Sequence, residues 1–235
     1  MKTSVYTSDD ADNWLFNKYY CGGTNFRYWS FQLALNILRQ TRTAPVVVET
    51  GCQRLPDDLG AGMSTSVFGE FLSRYGGRLH TVDLYPQHLE ICKELTAAFK
   101  DSIEYISSDS IAWLLAGAVR ADLLYLDSLD HPYGEMLEAY GGQENLEAAI
   151  AHVATLSHTE ILKEHGEILA PCQEHCLNEF KAAESSGVVG SETLILIDDN
   201  QLPGGGKSRL LKNYLHESGW ICLLDLQQTL WVSGV

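Results

Sequence analysis

Basic residues are scarce in this sequence. The chain of 235 residues has 16 lysines and arginines against 31 aspartates and glutamates, which gives a formal net charge of −15. Because a nucleic-acid-binding surface must be basic to neutralise phosphates, this balance argues against nucleic acid as the main partner. The acidity favours solubility or the attraction of cations.

Long apolar runs, a secretory signal and an excess of proline are also lacking. No apolar run approaches the ~20 residues of a membrane-spanning helix. The polar, acidic start MKTSVYTSDDADNW does not resemble a signal peptide. The six cysteines are scattered, as is typical of buried, reduced thiols. We therefore expect a cytoplasmic protein without a membrane partner. With 45% hydrophobic residues and 6 prolines, the sequence predicts a buried core.

Short apolar runs alternate with segments of helical periodicity. The apolar runs predict strands at 44–51, 78–85, 103–110, 121–130 and 193–200. Two further apolar runs follow them and predict a closing hairpin. The periodic segments predict helices at 64–76, 86–100, 111–119 and 207–219, and over most of 133–187. This alternation predicts an α/β fold with a doubly wound, mostly parallel, seven-stranded Rossmann-like sheet. Helices should cover both faces, and the C-terminal hairpin should be antiparallel.

The segment ahead of the first strand predicts one more helix. Residues 25–40, NFRYWSFQLALNILRQ, are amphipathic. We expect residues 1–43 to form a helical cap over the binding edge of the sheet. Residues 44–235 should form the rest of a single globular domain.

Each predicted strand of the parallel sheet ends in acidic or polar residues. In chain order these are Glu49 with Gly51, Asp83, Ser108 with Asp109, Asp127 with Asp130 and His131, and Asp198, Asp199 and Asn200. Ligands of open α/β sheets bind beyond the carboxyl ends of the strands. We therefore expect these residues to share one polar site.

Two nucleotide-binding motifs are incomplete. The loop after the first strand has Thr65 where G-x-G-x-x-G needs its last glycine, which weakens a nicotinamide-dependent dehydrogenase. In IDDNQLPGGGKS, Gln201 stands where G-x-x-x-x-G-K-[ST] needs its first glycine, and the preceding acids would repel phosphate. We interpret PGGGKS as a flexible turn or a mobile active-site loop, and the acids as the stronger signal.

The motifs VVVETGCQRLPDDLGAGMSTSVFGEFL, LHTVDLY, SSDS and LLYLDSLDH resemble class I S-adenosylmethionine (SAM)-dependent methyltransferases, over roughly residues 44–235. The resemblance implies a SAM-binding enzyme in which the first loop holds the methionine part, an acid holds the ribose and a polar pair contacts adenine. The implied cofactor-binding residues are Glu49, Gly51, Gly62 and Ser64, then Asp83, then Ser108 and Asp109, together with Asp127. The segment CQRLPDDLGA makes the first loop longer than the compact loop of that family.

Two segments at strand ends resemble the metal-dependent catechol O-methyltransferase type. They are YLD at 125–127 and IDDN at 197–200. The resemblance implies magnesium or another divalent cation on Asp127, Asp199 and Asn200, and O-methylation of a small hydroxylated acceptor. The chemistry is consistent, because magnesium prefers oxygen ligands and a bound cation lowers the pKa of a coordinated hydroxyl.

The catalytic base and the reaction class leave alternatives open. The catechol type has a lysine three residues after its strand-four aspartate, where this chain has Asp130. Either Asp130 or the adjacent His131, which titrates near neutral pH, could be the base. The alternatives are a metal-independent N- or O-methyltransferase of the same fold and a non-catalytic scaffold that retains it. The expected partner is a small-molecule methyl acceptor, and a homodimer is left open.

Overall fold

The computed structural model describes residues 14–20, 26–56, 63–142 and 144–234, which form a seven-stranded sheet. The strands are β1 Val46–Thr50, β2 Arg78–Asp83, β3 Ile103–Ser107, β4 Leu123–Leu126, β5 Leu194–Ile197, β6 Ile221–Asp225 and β7 Thr229–Val232. Their order is β3-β2-β1-β4-β5-β7-β6. The first five strands are parallel, and β7 runs antiparallel to β5 and β6. The predicted fold class, including the antiparallel hairpin, is confirmed.

The central strands β4 and β5 are buried at every position, and β1 is largely apolar, because helices cover both faces of the sheet. Val47 and Val48 are fully buried on opposite faces of β1. Val47 lies opposite Leu79 of β2 and Leu123 of β4. The edge strand β6, in contrast, alternates between exposed and partly buried residues.

The helices follow the predicted segments with changes at their ends. They are α1 Arg27–Thr41, α2 Ser64–Tyr75, α3 Pro86–Leu95, α4 Ser110–Leu115, α5 Tyr133–Ala139, α6 Leu146–Thr155, α7 His158–Ser186 and α8 Arg209–Glu217. A π-helical turn spans Phe16–Tyr20, and 3-10 turns span Ala97–Ser102 and Pro203–Gly205. The region 133–187 therefore contains three helices. The long helix α7 begins at a capping box of Ser157 and Glu160 and ends at Gly187, whose φ is 82°.

Two hydrophobic layers hold the helices to the sheet. On one face, Phe31 of α1 packs against Phe68 of α2 and Tyr125 of β4, with ring centroids 5.4 and 5.8 Å away. On the other face, Phe180 of α7 and Trp231 of β7 belong to a second buried cluster. The predicted N-terminal helix thus packs on a face of the sheet, and its first turn reaches the carboxyl edge.

None of the helices in the described part of the chain is long and apolar enough to cross a membrane.

Candidate functional site

A cavity of about 610 Å³ opens at the carboxyl ends of β1, β2 and β4, where the predicted site should lie. Its volume lies within the ~300–1,000 Å³ of typical small-molecule sites. Its walls include, in chain order, Arg27, Gly51, Cys52, Ser64, Asp83, Tyr85, Asp109, Asp127, Asp130, His175, Asp198 and Asp199. The sheet order changes direction between β1 and β4, and such a switch point is the usual ligand crevice of open α/β sheets.

The first loop crosses the cavity at Gly51. This residue has a φ of +83°, and a Cβ atom there would lie 2.4 Å from the main-chain oxygen of Asp127. The loops after β1 and β4 therefore approach closely only because residue 51 is glycine. Ser64, at the start of α2, also lines the cavity. Gly62 lies outside the described residues.

Glu49 lies outside the cavity wall and braces the first loop. Its side chain is fully buried, and Oε2 accepts hydrogen bonds from the hydroxyls of Thr65 and Thr81 at 2.7 and 2.8 Å. Thr65 also accepts the main-chain N–H of Gln53 at 2.9 Å. Oε1 of Glu49 has no hydrogen-bond partner among the described residues. Burial raises the pKa of Glu49 to about 7, although the hydroxyl donors oppose this shift.

Asp83 presents a carboxylate with spare hydrogen-bonding capacity. Its Oδ1 accepts the main-chain N–H of Tyr85 at 2.8 Å and lies 3.1 Å from Nδ1 of His88. Within the described part of the chain, Oδ2 accepts only from the thiol of Cys52, at 3.4 Å. A thiol is a weak donor, so Oδ2 remains available to ligand hydroxyls.

The wall near α4 differs in part from the predicted polar pair. Asp109 lines the cavity and caps α4, since its Oδ1 accepts the N–H of Ala112 at 2.8 Å. Ser108 does not line the cavity, and its hydroxyl donates to the main-chain oxygen of Asp109 at 3.0 Å. Ser110 and His175 of α7 line it instead, with Oγ and Nε2 3.3 Å apart. His175 is not among the residues that the sequence predicted for the site.

Two buried cations, which the sequence reasoning missed, neutralise most of the acids at the ends of β4 and β5. Lys207, 2% exposed, forms an ion pair with Asp127, and its Nζ lies 3.5 Å from Asp199 Oδ2. Arg27 donates to both oxygens of Asp198 at 2.9 and 3.0 Å and to Asp199 at 3.3 Å. Burial would lower the pKa of Lys207, but the three aspartates raise it above its ordinary value, so the ammonium stays charged.

The triple-glycine turn places Lys207 in this cluster. Gly206 has a φ of +63°, and a Cβ atom there would lie 1.8 Å from the main-chain oxygen of Asp199. Nε2 of Gln173 donates to the main-chain oxygens of Gly204 and Gly206 at 3.3 and 3.0 Å. The segment PGGGKS, predicted to be a flexible turn or mobile loop, is instead packed against the end of β5.

The donor set around the predicted metal position does not fit a divalent cation. Asn200, a predicted ligand, donates to Asp225 and to the main-chain oxygen of Leu226, and its Oδ1 accepts from Ser208 and Lys212 at 2.7 and 3.0 Å. Its amide is therefore fully used. The carboxylates of Asp127 and Asp199 surround an ammonium. Among the described residues, no group of three His, Cys, Asp or Glu side chains could hold a metal.

The structure separates the two predicted bases. His131 is buried outside the cavity wall, and its Nε2 donates to the main-chain oxygen of Pro203 at 3.0 Å. Burial lowers the pKa of His131, so its ring is neutral at pH 7. Asp130 lines the cavity, but its two oxygens each lie 3.2 Å from a guanidinium nitrogen of Arg54. Neither residue presents an unpartnered basic atom to the cavity.

Comparisons with known proteins show the fold. No protein-family model matches the chain, and no curated protein matches it. The solved structure of the SAH-bound methyltransferase PaMTH1 from Podospora anserina is similar with a TM-score of 0.54 and 10% identity, covering 99% of this chain and 97% of that one. NSun6 from Pyrococcus horikoshii with SFG has a TM-score of 0.52 and 11% identity, covering 82% and 42%. This chain thus has a Rossmann-like fold that it shares with a methyltransferase.

Proposed function

We propose that this protein is a SAM-dependent methyltransferase that acts on a small molecule without a bound divalent cation. The observation that carries the proposal is the cavity at the β1–β4 switch point, crossed by Gly51 and edged by the available oxygen of Asp83. The fold shared with an SAH-bound methyltransferase supports it.

The residues around the cavity fit the parts of SAM. Gly51 and Ser64 would hold its methionine part, Asp83 its ribose hydroxyls, and Asp109 would lie near the adenine. SAM supplies an electrophilic methyl group on a sulfonium. At the β4–β5 end, the carboxyl groups of three aspartates outnumber the two cations, Arg27 and Lys207. The acidic character of this end complements the positive sulfonium.

The acceptor fits a small molecule with a hydroxyl or amine nucleophile. A cavity of about 610 Å³ has room for small ligands, and the net charge of −15 disfavours nucleic acid. Asp199 is placed to orient such a nucleophile, because it lines the cavity with its side chain 20% exposed. Its φ of 52° is tolerated by aspartate better than by most residues. Metal-assisted O-methylation does not fit this site, because the predicted ligands Asp127, Asp199 and Asn200 already have partners.

Calorimetric titration with S-adenosylhomocysteine (SAH) in the presence of EDTA tests the proposal, with NADH as the comparison ligand. We expect SAH to bind in the micromolar range and NADH not to bind. Transfer of tritium from methyl-labelled SAM to a panel of alcohols and amines then identifies the acceptor. A scaffold without catalytic function would bind neither ligand, and a dehydrogenase would bind NADH.

A further inference from the structure

We propose that the ammonium of Lys207 takes the place of a divalent metal ion. It positions the Asp127 and Asp199 carboxylates at the β4–β5 end of the cavity, where the methyl acceptor would bind. The role toward an acceptor rests on the proposed function. The arrangement of charges rests on the geometry of the described residues alone.

The position of Lys207 is the first argument. Its ammonium pairs with Asp127 and lies 3.5 Å from Asp199, the two carboxylates predicted to bind metal. The Lys207 side chain is 2% exposed and does not line the 610 Å³ cavity, whereas the two aspartates do line it. Lys207 therefore does not touch an acceptor. It is a positioning residue that acts through the two carboxylates.

The second argument is that the surrounding structure fixes the ammonium in place. Gly206 allows the turn to lie directly on the main chain of Asp199, and Gln173 donates to the turn from α7. After the turn, Ser208 donates to Asn200 at 2.7 Å. Asn200, predicted as a metal ligand, thus anchors the segment that carries the lysine. The contacts of Gly206, Gln173 and Ser208 together hold the ammonium of Lys207 in one position.

The acceptor class follows from the chemistry of an ammonium. A metal ion with open coordination positions can chelate two vicinal oxygens and lower the pKa of a bound hydroxyl. A buried ammonium offers N–H donors and no open coordination position. Since the ammonium of Lys207 donates to Asp127, lies 3.5 Å from Asp199 and does not reach the cavity, the acceptor that fits has one nucleophilic atom set against a carboxylate. A vicinal diol would gain nothing from its second oxygen.

Removing the lysine provides the test, with Mn²⁺ as the probe. In Lys207→Met, Asp127 and Asp199 lose their shared cation, and two facing carboxylates favour a divalent ion. We expect this variant to gain one saturable Mn²⁺ site by calorimetry, absent from the wild type. Lys212→Met is the matched control, because Lys212 donates to Asn200 and Asp225 outside the cluster. Lys207→Met/Asp127→Asn should also lack the site, since one ligand is gone.

Two results would overturn the inference. One is a folded Lys207→Met variant that gains no Mn²⁺ site. The other is a wild-type Mn²⁺ site that disappears in Asp127→Asn, and this measurement decides the matter even if Lys207→Met fails to fold. SAH binding is measured on the same samples. Its absence from the wild type would refute the proposed function, while the Mn²⁺ data would still judge Lys207.

Discussion

Replacing Arg27 with methionine breaks the buried ion pair between α1 and the end of β5. The Arg27 side chain is 4% exposed and that of Asp198 is 1% exposed. Removing one partner of a buried pair costs about 3–5 kcal/mol. Asp198 keeps the hydroxyl of Tyr125 at 2.9 Å and the N–H of Asp199 at 2.8 Å, so we expect about 3 kcal/mol, the lower end of that range. For a chain of this size, this lowers Tm by roughly 6–12 °C.

The assay is urea unfolding followed by circular dichroism, with Arg78→Met as the control. Arg78 is 49% exposed and lies 3.8 Å from Glu104, and such a surface pair contributes about 0–1 kcal/mol. The double variant Arg27→Met/Asp198→Asn should recover part of the loss, because no unpaired charge stays buried. If Arg27→Met costs no more than Arg78→Met, the buried pair does not hold α1 to the sheet and the reasoning is refuted.

The pH dependence of this variant has a definite sign. Burial would raise the pKa of Asp198, but Arg27 and Lys207 hold it below its ordinary value. In the wild type, this carboxylate therefore contributes stability above its unfolded-state pKa and loses it as the pH falls through the folded-state pKa. Without Arg27 the pKa of Asp198 rises. The difference in unfolding free energy between wild type and Arg27→Met should shrink on acidification, as urea titrations at pH 7 and pH 4 would show.

Three further predictions concern the cavity and Glu49, the residue that braces its first loop. Asp83→Asn should weaken SAH binding about 10- to 100-fold by calorimetry, since a hydrogen bond to a charged group contributes roughly 1.5–3 kcal/mol; the exposed Asp101→Asn is the control. Gly51→Ala should abolish SAH binding and lower Tm, because its Cβ atom would lie 2.4 Å from a main-chain oxygen. As the pH is raised from 5 to 8, the unfolding free energy of Glu49→Gln should increase relative to that of the wild type by roughly 2–3 kcal/mol, as measured by urea unfolding. The pKa of Glu49 is raised to about 7 by burial, so the wild type loses stability as the pH rises through this window.

Each of these has a contradicting outcome. Unchanged SAH affinity in Asp83→Asn would remove Asp83 from the ribose role. A Gly51→Ala variant with wild-type Tm would show that the loops after β1 and β4 do not need their close approach. A stability difference for Glu49→Gln that stays constant from pH 5 to pH 8 would mean that this carboxyl does not titrate there.

The sheet and the position of the site could be predicted because they depend on local patterns. Runs such as VVVET predict buried parallel strands, and the carboxyl ends of parallel strands necessarily lie at one edge of the sheet. That geometry brings Asp83, Asp127 and Asp199 to one cavity although they are distant in sequence. The sequence does not predict where one helix ends and the next begins between 133 and 187, because helical periodicity does not reveal a break between them.

The cations of the cluster could not be predicted, because their partners are remote in sequence. Arg27 meets Asp198 across 171 positions, and Lys207 meets Asp127 across 80. A motif gives each aspartate a possible role but does not show which side chain neutralises it. The glycines before Lys207 were the available signal. Their positive φ angles bend the chain so that the lysine turns back onto the acids that precede it.

A crystal structure of the wild-type protein grown with SAH and MnCl₂ tests the central claim most directly. The account predicts SAH in the cavity beside β1 and β2, with its ribose hydroxyls on Oδ2 of Asp83. It also predicts the ammonium of Lys207 between Asp127 and Asp199, with no anomalous manganese signal there. SAH bound elsewhere, or manganese in the position of the ammonium, would contradict the account.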